Sequence, residues 1–220
     1  AHKLSSRLYL HLLQLKTKML DVSFTGEFIV KASGHQPENV HSLPLSNLDL
    51  LSGRFPVTYF YFYPKQPHLF ITFDSIVQSL KTSLAETLNL FHLFAGQIVP
   101  NETSHEEPMI VCNNNGALLV EARASLDLQS LDFYNLDALL QAKLVRVNQD
   151  FPLQIQATEF ECGGLSLTFT FDHALGDASS FGKFLTSWSE ISRNQPVSCV
   201  PDHRRNLLRA RSPPHYHPLL

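Results

Sequence analysis

Leu165, Leu167, Phe169 and Phe171 alternate with Ser166, Thr168 and Thr170. This period of two predicts a half-buried strand over 165–171. Beyond Asp177 the period changes. Phe181, Phe184, Leu185, Trp188 and Ser192 fall at helical spacing, so a helix is predicted from near Asp177. Residues 57–63 are rich in β-branched and aromatic side chains and predict a strand. Ile76, Val77, Leu80, Leu84, Leu88 and Phe91 cover one face of a helix, with Asp74 or Ser75 as its cap. Residues 153–160 read as a strand joined through Gly163-Gly164 to the 165–171 strand. Asn113-Asn114-Asn115-Gly116 predicts a hairpin between 109–112 and 117–123. Residues 44–49 read as irregular, and past Ser192 the periodicity is lost among Pro196, Pro201, Pro213 and Pro214. Strands mixed irregularly with a few helices imply an α/β fold, a mixed-sheet sandwich layer with packed helices.

Composition narrows the function classes. At 220 residues and 44% hydrophobic content the chain can bury a sizeable core. A net charge of −3 without a basic run argues against a nucleic-acid partner. No apolar run approaches the roughly 18 residues that span a bilayer, so no membrane segment is expected. Cys112, Cys162 and Cys199 form neither a CxxC pair nor a disulfide framework, which favours a reducing, cytoplasmic setting. Lys3, Arg7, Lys16 and Lys18 precede the first acid, Asp21. Residues 1–23 are therefore expected to be a leader, amphipathic, disordered or transit-like. Residues 24–195 are expected to form one domain and 196–220 a linker.

The chemistry gathers where the strand ends. His173-Ala174-Leu175-Gly176-Asp177 places a histidine and an acid either side of a tight loop between strand and helix. This segment resembles the HxxxD motif of the BAHD acyltransferases, plant enzymes of specialised metabolism that move acyl groups from coenzyme A thioesters to alcohols or amines. Phe160-Glu161-Cys162-Gly163-Gly164 is similar to that family's F-x-C-G-G lead-in. Leu45-Ser46-Asn47-Leu48-Asp49 is similar to its LSxLD signature, and the segment from Leu88 to Gly96 to its L-x-x-F-x-x-x-A-G segment. The stretch from Arg204 to Pro214 is similar to its R-x-x-L-x-x-R-x-P-P run. The resemblance covers residues 27 to 220 and keeps the family order.

It implies one domain of the chloramphenicol-acetyltransferase-like, two-domain BAHD fold. It also implies that His173 is the general base, taking the acceptor's proton in a ternary complex without an acyl-enzyme. A coenzyme A thioester is then the co-substrate, with no bound cofactor and no metal. Asp177 would be structural, fixing the loop through an ion pair with an arginine. Arg123, Arg146 and Arg204 are the candidates, and helix capping by Asp177 is a second contribution. Asp172 is a candidate for orienting the imidazole. His35, His41 and the pair His215 and His217 lack the spacing of a known metal site and read as loop residues. Cys162 reads as a buried cysteine.

Three departures from the family accompany these expectations. Ala178 stands where glycine usually follows the motif aspartate. The chain is about half a family member's length. The family's DFGWG signature, which lies in the C-terminal half, is absent. The missing half, or self-association, is expected to complete the site. The alternative is a catalytically inactive half-length relative that binds and regulates a partner.

Overall fold

The computed structural model describes residues 20–34, 40–68, 70–100, 108–135, 137 and 144–205. Among them, β1 (Val22–Val30), β3 (Pro56–Tyr63), β6 (Ala117–Ala124), β7 (Leu153–Phe160) and β8 (Leu165–Asp172) form a five-stranded sheet. Its order is β1-β6-β7-β8-β3. β6 and β7 run parallel, and the other neighbours are antiparallel. A smaller antiparallel sheet joins β2 (Ser42–Pro44), β5 (Met109–Val111) and β4 (Gln97–Val99) in the order β2-β5-β4. The helices are α1 (Asn47–Ser52), α2 (Phe73–Leu90) and α3 (Ala178–Ser192), with 3-10 turns at His92–Ala95, Leu128–Ser130 and His173–Leu175. The expected α/β mixed-sheet layer with packed helices is the observed fold.

The helices pack where their apolar stripes dictate. Phe181, Phe184 and Trp188 share one face of α3 and are buried. They meet Phe169 and Phe171, the apolar positions of β8, and Phe94. Phe171 stacks on Phe181 at 4.2 Å, and Phe94 on Phe184 at 4.9 Å. Each such pair adds about 0.5–1.5 kcal/mol beyond its buried area. Trp188 donates to Ser83 of α2 at 2.8 Å, so the one polar atom of this indole is satisfied within the core. The polar positions of β8 are buried as well: Ser166, Thr168 and Thr170 are almost wholly covered. Alternation predicts a half-buried strand, but a second cluster including Leu128, Leu131, Leu144 and Phe160 lies apart from the helix-side core.

Several local expectations are corrected. The helix cap is Thr72, whose side chain accepts from the Ser75 backbone; Asp74 sits in the first turn. Residues 44–49 are not wholly irregular, because a reciprocal Ser46–Asp49 capping box starts α1. The 113–116 turn forms, but not as a hairpin: β5 and β6 belong to different sheets. Asn114 binds the backbone N–H and C=O of Ala32, while Gly116, at φ +103, donates to the Ala95 carbonyl. These long-range bonds turn the chain from one sheet to the other. The expected leader boundary at residue 23 falls inside β1, where Val22 is buried and Asp21 and Ser125 bond through backbone and side chain. Residues 1–19, the rest of that segment, lie outside the described residues.

The expected linker folds back onto the domain as far as it is described. Ser187 donates to the Cys199 carbonyl, Glu190 accepts from the Ser198 backbone, and His203 bonds the Leu90 carbonyl at 2.8 Å. Residues 206–220 lie outside the described residues. No helix among the described residues is long and apolar enough to cross a membrane.

Candidate active site

β8 ends at Asp172, and the chain turns at once. One Asp172 oxygen accepts from the Ala174 N–H at 2.9 Å, capping the 3-10 turn. The other accepts from the Nε and terminal nitrogen of Arg54, at 3.0 and 2.8 Å. The His173 N–H donates to the Phe55 carbonyl at 3.0 Å. The imidazole then lies on the Phe55 ring, with centroids 4.8 Å apart and planes 28° from parallel. Phe55, rather than Asp172, sets the plane of the imidazole; the Asp172 carboxylate is engaged by Ala174 and Arg54.

His173 is half-buried. Its Nδ1 is enclosed and has no hydrogen-bond partner among the described residues. That leaves Nε2 as the ring nitrogen available to a bound molecule. His173 lines a cavity of about 640 Å³, together with Leu175, Gly176, Asp177, Lys183 and His203. A second cavity of about 300 Å³ opens beside Arg54, Asp172 and Thr170.

Asp177 is the N-cap of α3, and its carboxylate accepts from the Ser180 N–H at 2.8 Å. That backbone bond, followed by the Ser180 hydroxyl, holds its pKa below the usual carboxylate value. No arginine bonds it among the described residues, and the three candidates pair elsewhere. Arg123 bonds Glu159 at 2.7 Å and approaches Asp74; Arg146 pairs with Glu27, and Arg204 with Asp202. Asp177 is exposed and turned toward its own helix. Capping, the second contribution expected for it, is the observed one. Ala178 is the first residue of α3 and lies outside the positive-φ positions, so it replaces glycine there without strain. Gly176 is required for space: a Cβ there would meet the Ser180 Cβ at 2.7 Å.

Asp177→Ala is expected to lower stability by about 1 kcal/mol at neutral pH, the usual cost of losing a cap. Asn keeps the cap without the charge. Because the folded pKa lies below the ordinary value of 3.8, the charge stabilises above that pH, and its effect fades as pH falls through the lowered value. Denaturation of wild type and Asp177→Asn across pH should show a stability gap at neutral pH that closes in acid.

An arginine does hold the loop, but it is one that sequence reasoning missed. Arg205 donates to the Ala174 carbonyl at 3.0 Å and to the Leu175 carbonyl at 2.6 Å. It also pairs with Asp49 at 2.6 Å, and both side chains are largely buried, at 13% and 19% exposure. Asp49 in turn accepts from the backbone and hydroxyl of Ser46. A signal for this clamp was present. Asp49 ends the LSxLD-like segment and Arg205 lies in the arginine-rich stretch, two matched segments without an assigned role.

Behind the cavity wall, His203 meets His92 edge-on at 4.3 Å. Burial, then His203, then His41 push His92 down to about 4, so it is neutral at physiological pH. The ligand-type atoms of His41, His92 and Cys112 lie within 4.8 Å of one another, although no metal is expected from the sequence and His41 reads there as a loop residue. His35, His215 and His217 lie outside the described residues. Cys162 is exposed, not buried, because it sits at the β7–β8 turn; its sulfur accepts from the Leu128 N–H.

A model described as the Transferase family matches residues 20–219. A hydroxycinnamoyltransferase of Narcissus pseudonarcissus is 34% identical over 185 residues, covering 81% of this chain and 42% of that protein. Rosmarinate synthase of Plectranthus scutellarioides is 35% identical over 198 residues, covering 84% and 43%. The crystal structure of vinorine synthase superposes with a TM-score of 0.71 at 26% identity, covering 84% of this chain and 46% of that one. An F. graminearum protein solved with ethyl coenzyme A shares the fold at 17% identity, with a TM-score of 0.52 over 72% of this chain and 40% of that one. The chain thus spans less than half the length of these relatives. With matched residues running almost end to end and carrying the histidine loop, the chain belongs to the Transferase family, the BAHD acyltransferases.

Proposed function

We propose that this chain is the histidine-bearing part of an acyltransferase that moves an acyl group from a coenzyme A thioester to an alcohol or amine. The observation that carries the reading is His173, its Nδ1 enclosed, lining a cavity of about 640 Å³ on a loop held by Arg205. An acceptor hydroxyl bonded to the His173 Nε2 loses its proton to the imidazole as its oxygen attacks the thioester carbonyl. The tetrahedral adduct then expels the coenzyme A thiolate, which takes the proton back. General-base help of this kind is worth roughly 10²–10⁴-fold.

The relatives' names support a hydroxycinnamoyl thioester as the first donor to try. The cavity rim carries the exposed apolar side chains of Leu48 and Leu51. They support a further wall, contributed by additional chain of a longer protein or by a second copy.

The test is coenzyme A release by the purified full-length protein with a panel of acyl thioesters, each with and without acceptors. Release is expected to depend on acceptor, and protein mass to be unchanged by donor alone. A stable acyl-protein adduct, or thioester cleavage that no acceptor accelerates, would overturn direct transfer.

A further inference from the structure

His41, His92 and Cys112 come from three separate segments: the residue before β2, the 3-10 turn after α2, and the residue after β5. The backbone brings them together. The Cys112 N–H donates to the His41 carbonyl at 2.9 Å, extending the pairing of Ser42 with Val111 in the small sheet. The rings of His41 and His92 lie 5.8 Å apart and are tilted by 59°. One sulfur and two imidazole nitrogens therefore lie within 4.8 Å of one another.

Tetrahedral zinc, with bonds of about 2.0–2.3 Å, holds its ligand atoms roughly 3.3–3.8 Å apart. Closing the observed triangle around an ion needs roughly 1 Å of movement on that geometry. The exposed side chain of His41 is the one placed to make it, since Cys112 is buried and His92 is half-buried. One thiolate and two imidazoles select a borderline-soft ion such as Zn²⁺ over Mg²⁺ or Ca²⁺, which prefer oxygen.

We propose that His41, His92 and Cys112 form a Zn²⁺ site with three protein ligands and a solvent-filled fourth position. Binding forms the metal–sulfur bond and releases the thiol proton to solvent. His203 stays outside the ligand set, because among the described residues only His41, His92 and Cys112 bring their ligand-type atoms within 4.8 Å of one another. Its role is to pack against His92. The 3-10 turn that begins at His92 supplies Leu93 and Phe94 to the wall of the His173 cavity. An ion at the triangle would clip the small sheet to that wall, a structural role independent of acyl transfer.

The experiment titrates the metal-free full-length protein with Co²⁺ and then Zn²⁺. One Co²⁺ is expected to give tetrahedral bands and a thiolate-to-cobalt charge-transfer band, both removed by Zn²⁺. Cys112→Ser and His92→Gln should each weaken Zn²⁺ binding by more than the roughly 10–100-fold that loss of a second-shell partner costs, whereas His68→Gln should leave it unchanged. Zn²⁺ should raise the melting temperature of wild type alone. Cobalt bound without the thiolate band, or wild-type affinity in Cys112→Ser, would overturn the site. If the buried variants fail to fold, the exposed His41→Ala decides it: lost affinity supports the site and unchanged affinity overturns it.

Discussion

Replacing His173 by alanine lowers acyl transfer by about 10²- to 10⁴-fold, the loss that follows removal of a general base, and leaves the fold intact. The two effects separate because the backbone of this loop does not depend on the ring. The His173 N–H still donates to Phe55, and Asp172 still caps the turn through Ala174. The ring's enclosed nitrogen has no protein partner among the described residues, so truncation breaks no hydrogen bond there. What is lost is the stack on Phe55, worth about 1 kcal/mol. Steady-state kinetics of the full-length protein with one donor and one acceptor, beside thermal unfolding of the same preparations, reads both. Turnover near wild type in the variant would remove His173 from the chemistry.

Replacing Arg205 by leucine has the largest expected effect on stability. Its guanidinium joins two segments that are far apart in sequence, through the carboxylate of Asp49 and the carbonyls of Ala174 and Leu175. Removing one partner of a largely buried ion pair leaves the other charge poorly solvated, and costs about 3 kcal/mol or more. Asp49 would keep its bonds to Ser46, which limits the loss. The freed loop then presents the imidazole less accurately, so activity should fall mainly through kcat. Lysine keeps the charge but cannot reach both carbonyls with one planar fork, and should be intermediate. Denaturant unfolding with a kcat and KM comparison checks this. Wild-type stability and turnover in Arg205→Leu would show that the clamp does not govern the loop.

The elements that place His173 were readable because each repeats one period long enough to count. The alternation of β8 and the helical spacing of Phe181, Phe184 and Trp188 both describe side chains meeting one core. The turn at 113–116 shows where such reading stops. Its residues specify a turn, but the destination of the next strand depends on bonds to Ala32 and Ala95, remote in sequence. The same limit explains the loop clamp. An arginine was expected for the motif, and local chemistry offered Arg123, Arg146 and Arg204 with equal merit. The folded chain uses the neighbour of the last, Arg205, and directs it to carbonyls and Asp49 rather than to Asp177. The grouping of His41, His92 and Cys112 has no sequence period at all; it exists only through the pairing of β2 with β5 and the turn after α2.

The most direct test of the account is a crystal structure of the full-length protein with coenzyme A and an unreacted acceptor. The reacting hydroxyl or amine is predicted to lie within hydrogen-bond reach of the His173 Nε2, about 2.6–3.2 Å, with Arg205 still bonded to the loop carbonyls. An acceptor bound in the cavity with its reacting atom held away from His173, by Asp177 or Lys183 instead, would contradict it.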